Sequence, residues 1–409
     1  MDRRKQAESE ASEYSIAGSM KDLAISYFQY AKDCIMPEYY TSKELLSRLL
    51  STKSYISTNS SLAKRPNAAQ DDLALQRFEE IGKGQCGTVY CLTGKSIIVK
   101  VSNSAQKSRE LFIDYQVHER IQYALDQVKA SLSVEFSVEF SVPSLHTWIS
   151  PGSEKFWADN MPLFPKKTVT EKFALVAERV FPVPLPVREA LVDTLCPSAI
   201  KKRKQEFLAQ PENKSCLIRI YLGRRETTRT KTNLQNLKLR NFPLHVNEME
   251  EMDLDTKHFA EVMAQALAIL HWKAGVDGND IEFVLGSSPM RFQRPSLEVT
   301  LQSDMLTVAK HCQYDFGQRS TSIWIIDFNQ CTEFQDDDTG LKQLVDAFFW
   351  NDPYYPRPNT GNHKDTDLWE IFSKQYLDIS GKFTQSATPR RFIAQIESRC
   401  QKGTLDSLF

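Results

Sequence analysis

Gly82, Gly84 and Gly87 form a G-x-G-x-x-G run, and the residues directly after Gly87 have the pattern of a strand rather than a helix. That order constrains the fold strongly. In a dinucleotide-binding fold the same run closes a strand and opens a helix. Here it opens Thr88-Val89-Tyr90-Cys91-Leu92, turns at Thr93-Gly94-Lys95 and returns along Ser96-Ile97-Ile98-Val99-Lys100-Val101. Local context therefore excludes the dinucleotide fold and fits a loop folded over phosphates. Backbone N–H groups must approach phosphate oxygens, and side chains at the three glycines would block them. Val89 lies on the strand beneath the loop. Lys100 ends the apolar run Ile97-Ile98-Val99 and directs a positive charge toward the same space.

Two acidic motifs lie far downstream. Asp277-Gly278-Asn279-Asp280-Ile281-Glu282 leads into Phe283-Val284-Leu285, and Ile323-Trp324-Ile325-Ile326 runs into Asp327-Phe328-Asn329. Glycine loop, strand lysine, loop aspartate and strand-end aspartate, in this order, resemble the working parts of a protein-kinase-like phosphotransferase. The resemblance implies a cleft for ATP and Mg²⁺. Asp277 takes the place of the aspartate that orients the acceptor hydroxyl, and Asp327 that of the metal-binding aspartate. Glu282 stands where the pattern has a metal-binding asparagine, adding a negative charge while still offering oxygen to Mg²⁺. Gly275-Val276 replaces the usual His-Arg. A literal Asp-Phe-Gly at Asp315-Phe316-Gly317 comes after no buried strand, so Asp327 is preferred. Asn329 then stands for the glycine, in a left-handed conformation at some cost. Such a cleft also pairs its lysine with a helix carboxylate. Of Glu110, Asp114 and Glu119, Asp114 is preferred because Val117 and Ile121 put it on the buried side.

The 409 residues suffice for two or three domains. A net charge of -1 gives no whole-molecule field toward nucleic acid or membrane, and no apolar run approaches the ~18–20 residues of a span. Neither is an expected partner. A nucleotide is, with a small molecule or protein beside it that the sequence does not identify. The opening Met1-Asp2-Arg3-Arg4-Lys5-Gln6 has no apolar stretch behind it and does not read as a secretory signal. The eight cysteines show no C-x-x-C pair, so neither a zinc site nor a disulfide framework is indicated, and a cytoplasmic or nuclear location is expected. Cys86, inside the loop, reads as a small filler, because no neighbour obviously activates its thiol.

Residues 1–72 read as an extension and linker. Met20 to Tyr30 and Ser42 to Leu50 have helical spacing, with Leu45, Leu46, Leu49 and Leu50 on one side; Ser51 to Asp72 lacks a core pattern. Residues 73–181 read as a small antiparallel β lobe. Ser108 to Val128 is its helix, with Leu111, Tyr115, His118 and Ile121 on one face. Leu132, Val134, Phe136, Val138, Phe140 and Val142 alternate as a strand. Phe173 to Ala177 is a buried strand, and Glu178 and Val180 at its end join the candidate nucleotide contacts. Residues 182–409 read as a larger, mainly helical lobe. Thr256 to Ala274 carries Phe259, Val262, Met263, Ala266, Leu267 and Leu270 on one side. Residues 201–240 hold twelve Lys or Arg against three Glu and read as a solvated basic insertion balanced by Glu248, Glu250, Glu251, Asp253 and Asp255. Gln335-Asp336-Asp337-Asp338 leads almost at once into a helix from Leu341 to Trp350, and no Ala-Pro-Glu box follows. The whole is an α+β, two-lobed, protein-kinase-like pattern.

Ala177-Glu178-Arg179-Val180, Ile218 to Gly223, Leu239 to Leu244, Ala266 to Gly286 and Trp324 to Pro358 together resemble a fungal kinase-like family of unknown function whose members are often labelled zinc finger proteins. The resemblance implies a fold and a fungal origin but no reaction. A fungal pathway such as secondary-metabolite biosynthesis is an expected setting. Two functions are compatible with it. One is a phosphotransferase acting on a small hydroxyl acceptor, as aminoglycoside or choline kinases do. The other is a pseudokinase scaffold that keeps the fold, and with it nucleotide binding, without turnover.

Overall fold

A computed structural model describes residues 34–35, 40–51, 55–57, 76–131, 137–165, 172–227, 237–289, 297–311 and 318–406. The helix expected at Met20 to Tyr30 and the disfavoured Asp315-Phe316-Gly317 lie outside them. The described strands are β1 Cys34–Ile35, β2 Tyr55–Ser57, β3 Phe78–Lys83, β4 Gly87–Leu92, β5 Ile97–Ser102, β6 Phe140–Ser141, β7 Leu145–Ile149, β8 Ala174–Glu178, β9 Ile218–Tyr221, β10 Phe242–His245, β11 Glu282–Pro289 and β12 Gln318–Ile326. The fold is mixed α/β, with an antiparallel sheet and a helical part. Among the described residues, no helix is long and apolar enough to cross a membrane.

The antiparallel sheet has five strands in the order β3-β4-β5-β8-β7. Strand alternation gives its two faces different work. Val99 and Val101 of β5, with Ala174 and Val176 of β8, bury against Phe78, Tyr90, Trp157 and Phe164 on the outer face. Ile98, Leu175 and Ala177 belong to the other face, with Leu111 and Tyr115 of the helix Ser108–Ser131. Lys100 pairs in register with Leu175, so the same alternation turns it inward. The β4–β5 hairpin forms where expected, and Gly94 takes the positive φ (81°) that its tight turn requires.

A second sheet lies among the helices of the remainder, which is mainly helical. It has seven strands: β1-β2-β12-β11-β9-β10 in order, with β6 also paired to β12. β9 and β10 run parallel, while β11 and β12 form a long antiparallel pair. This sheet shares a core with the helices Thr256–Ile269, Asp338–Trp350, His363–Phe383 and Thr388–Asp406. The Thr256–Ile269 helix is buried on nearly every side rather than along one stripe, from Phe259 to Ile269 apart from Glu261. A helix apolar all round belongs at the centre of a fold. Asp255 caps its start, accepting from the His258 N–H at 3.1 Å.

Two expectations need correction. Residues 137–142 hold only the two-residue strand β6, parallel to β12, although the alternation predicts a longer one; 132–136 lie outside the described residues. The first 72 residues are not peripheral where they are described. The Ser42–Leu49 helix, closed by a Thr41–Glu44 capping box, sinks Leu45, Leu46 and Leu49 into the main core. β2 lies in the expected linker and pairs with β12.

Candidate functional site

A cleft of about 250 Å³ opens beneath the β3–β4 loop. Gly82, Gly84, Val89, Lys100, Asp114, Glu178, Val180, Glu282 and Asp327 all line it. Nine of the eleven residues singled out from sequence thus meet around one space. Gly87 contributes from behind. A Cβ there would stand 2.9 Å from Lys100 Cγ and 3.0 Å from the Val101 carbonyl oxygen, so only glycine lets the lysine stem pass.

Lys100 is the electrostatic centre. Its Nζ donates to Asp114 Oδ2 at 2.7 Å and to Asp327 Oδ1 at 3.0 Å. Burial alone would lower its pKa, but the Asp114 and Asp327 carboxylates outweigh burial and raise it well above the ordinary lysine value. Asp114 also accepts from the Phe328 N–H through Oδ1 at 3.0 Å, so one carboxylate ties the long helix to both the lysine and the β12 exit. Asp327 takes the left-handed conformation, with φ at 67°. The sequence pattern places that conformation at Asn329; the turn is made two residues earlier. Such strain persists only where neighbours hold it, and here Lys100 and Asp114 do. Cys86 is buried at 1% exposure, and burial pushes its thiol up to about 11, which makes it filler rather than nucleophile.

Asp277 lies elsewhere. It lines an open depression of about 470 Å³ with Asn279, Lys342, Gln343 and Trp350. Its carboxylate is fully engaged. Oδ1 accepts from the N–H groups of Asn279 (3.1 Å) and Thr332 (3.0 Å). Oδ2 accepts from the Thr332 hydroxyl and the Gln343 amide, each at 2.8 Å. Four donors fill the four lone-pair positions of a carboxylate. The turn before it, Leu270–Ala274, is a π-helical turn closed by Gly275 with φ 70°. Buried His271 stiffens this turn, its Nδ1 2.9 Å from the Tyr376 hydroxyl and its Nε2 3.3 Å from the Asp277 carbonyl oxygen.

Glu282 reaches the cleft with a partner already in place. Arg219 of β9 donates through Nη2 to Glu282 Oε1. Burial raises the Glu282 carboxyl pKa, with the Arg219 charge opposing the shift. The composition of 201–240 groups Arg219 with a solvated basic stretch, and this is corrected: its side chain is only 25% exposed and it lines the cleft. The signal is present in Ile218-Arg219-Ile220, since a charge between two buried isoleucines must face the opposite side of its strand. Other basic residues of the stretch are paired on or near the surface: Lys204 with Asp193, Arg224 with Asp352, and Arg225 with Glu250 and Asp365.

Among the described residues, side chains alone form no ready-made cage for a divalent metal: no three His, Cys, Asp or Glu are grouped to hold one. Asp327 gives an oxygen to Lys100, and Glu282 gives one to Arg219. The same holds for zinc, which takes four convergent Cys, His or carboxylate ligands; Cys86, Cys91, Cys196, Cys216 and Cys331 are buried and form no disulfide.

In comparisons with known proteins, the model of a family described as "Zinc finger protein" matches residues 323–388. The match covers the end of β12, Asp327 and the run to Pro358. No curated protein matches the chain.

Proposed function

We propose that this chain is a two-lobed, kinase-like protein that binds ATP in the cleft beneath Gly82, Gly84 and Gly87 and acts as a non-catalytic binding module. One observation carries the reading: Lys100, held between Asp114 and Asp327 under the glycine loop. A buried ammonium fixed between two carboxylates keeps its charge and direction, as a phosphate-facing lysine must. Ile81, Val89, Ile98, Leu175, Ala177 and Val180 supply apolar walls for a flat base.

Asp277 argues against phosphotransfer. A general base needs a free lone pair within reach of the acceptor hydroxyl, and this carboxylate offers none. Phosphotransfer to a small hydroxylated acceptor is the second reading. The open depression beside Asp277 favours it, since an entering hydroxyl would replace the Thr332 or Gln343 donor.

The test is a melting curve with and without millimolar ATP in a Mg²⁺ buffer, and then an assay for released phosphate. At ligand about 100 times its Kd, binding adds about 2.7 kcal/mol to apparent stability. The expected result is a raised melting temperature without turnover. An unchanged melting temperature contradicts nucleotide binding. Phosphate release that disappears in Asp277→Asn would replace this reading with the second.

A further inference from the structure

The outer face of the Asp338–Trp350 helix carries a residue that a solvated face does not call for. Helical spacing puts Thr339, Gln343, Asp346 and Trp350 on one side, opposite the buried Leu341, Leu344, Val345 and Phe348. Trp350 is 62% exposed there. It does not stand on a convex surface. All four residues of that side line the depression of about 470 Å³, to which Asp277, Asn279 and Gln330 contribute from two loops. Ala347, between Gln343 and Trp350 on the same side, is small and leaves room beside the indole. An indole left open inside a concavity marks a ligand groove rather than chance exposure.

The polar groups around the indole are held by the fold and only half used. Asn279 donates its amide to the Gln330 carbonyl oxygen at 3.4 Å, and Gln330 donates its own to Gln85 Oε1 at 3.3 Å and to Asp280. Gln343 donates to Asp277, to the Thr332 hydroxyl and to the Glu333 carbonyl oxygen. Each amino group is thereby tied down. The three amide oxygens and the Thr339 hydroxyl have no protein partner among the described residues. So many acceptors suit a ligand with several O–H donors. Charge makes no further demand. Asp346 is bonded to Lys342 at 3.0 Å and to Arg399 at 2.7 Å, and the four donors on Asp277 are all neutral. Two carboxylates and two cations cancel, so the depression selects for an uncharged ligand.

We infer that this depression binds a neutral sugar, with one face of the sugar ring on the Trp350 indole and its hydroxyls on the amide oxygens of Asn279, Gln330 and Gln343. The C–H groups on one face of a pyranose form an apolar patch of slight positive charge, which matches the negative face of an indole. Hydroxyls around the ring edge donate to the amide oxygens and accept from Thr339 and Lys342. An aromatic wall with a few fixed polar groups orients a small ligand in a site that is already formed. Such binding needs no nucleotide and goes beyond the ATP reading. It also gives the hydroxylated ligand of the second reading a chemical class, without asking Asp277 to act on it.

Saturation-transfer NMR on the full chain, without nucleotide, tests it with glucose, galactose, mannose, N-acetylglucosamine and maltose as millimolar probes. At least one of these sugars should receive saturation at its ring C–H protons, most strongly on one face. Trp350→Ala, at an exposed position, should keep its melting temperature and bind that sugar at least about tenfold more weakly. Trp350→Phe, which keeps an aromatic face, should recover part of the loss, as a merely structural indole would not. Transfer to none of these sugars overturns the inference. So does a folded Trp350→Ala that binds as the wild type does, because the sugar then sits elsewhere. Binding of glucosamine, which is protonated at neutral pH, with none of glucose or the other neutral sugars overturns it as well. Should Trp350→Ala not fold, the wild-type pattern decides: saturation concentrated on one ring face upholds the inference, and uniform saturation overturns it. Sugar binding by a chain that takes up no ATP upholds it while the nucleotide reading fails.

Discussion

Burial decides the behaviour of individual side chains in this protein by forcing each charge to find a partner. Lys100 keeps its proton because two carboxylates offset its desolvation. His271 solves the same problem the other way. It is 2% exposed with no carboxylate against it, and burial lowers its pKa to about 3. Neutral imidazole suits its contacts: Nε2 donates to the Asp277 carbonyl oxygen, and Nδ1 accepts from the Tyr376 hydroxyl, which accepts from Trp272. An unfolded histidine titrates near 6.5, roughly. Below that pH the unfolded chain takes up a proton that the folded chain refuses, so stability falls as the solution is acidified. Between about pH 6.5 and about pH 5 this site should cost about 2 kcal/mol. Urea midpoints measured across that range should show a shallower loss in His271→Gln than in the wild type. Parallel losses would mean that His271 does not carry the proton linkage.

At the scale of elements, the Asp338–Trp350 helix connects the fold to the candidate site. Asp337 caps it, accepting from the Gly340 N–H at 2.8 Å, and Gln343 one turn later reaches Asp277. A Cβ on Gly340 would overlap the Gln335 carbonyl oxygen. Gly340→Ala should therefore push the capping turn apart and cost about 1–3 kcal/mol, visible as a lowered melting temperature. An unchanged melting temperature would show that the turn yields freely. Elements are legible in the sequence to the extent that their signals are local. The β4–β5 hairpin, the Ser108–Ser131 helix and the apolar end of β12 carry their periods within a few residues, so they can be read directly. The parallel β9–β10 pair and the β6–β12 pair cannot, because partners distant in the chain set them. Asp277 shows the same limit. Its place in a loop is legible, but Thr332 and Gln343, which fill its lone pairs, stand 55 and 66 residues away. Asp114 is legible because helical spacing marks its buried side. Arg219 is not, because counting charge over 201–240 hides the alternation of a four-residue strand.

Across the whole molecule, the cleft takes residues from both sheets and from the long helix. Lys100 and Val89 come from the five-stranded sheet, Arg219, Glu282 and Ile326 from the seven-stranded one, and Asp114 from the Ser108–Ser131 helix. The seven-stranded sheet is anchored by a core that extends to Leu46 near the start of the chain and Ile396 near its end, both fully buried. Each such side chain contributes about 1.5–3 kcal/mol. That rigidity holds a lysine and an aspartate 227 residues apart in hydrogen-bonding contact. The measurement that tests the central claim most directly is equilibrium binding of ATP to the wild type and to Lys100→Met. The account predicts one saturable site in the wild type and affinity weakened by at least about tenfold in the variant. Equal affinity in the two proteins, or a wild type that takes up no ATP, would contradict it.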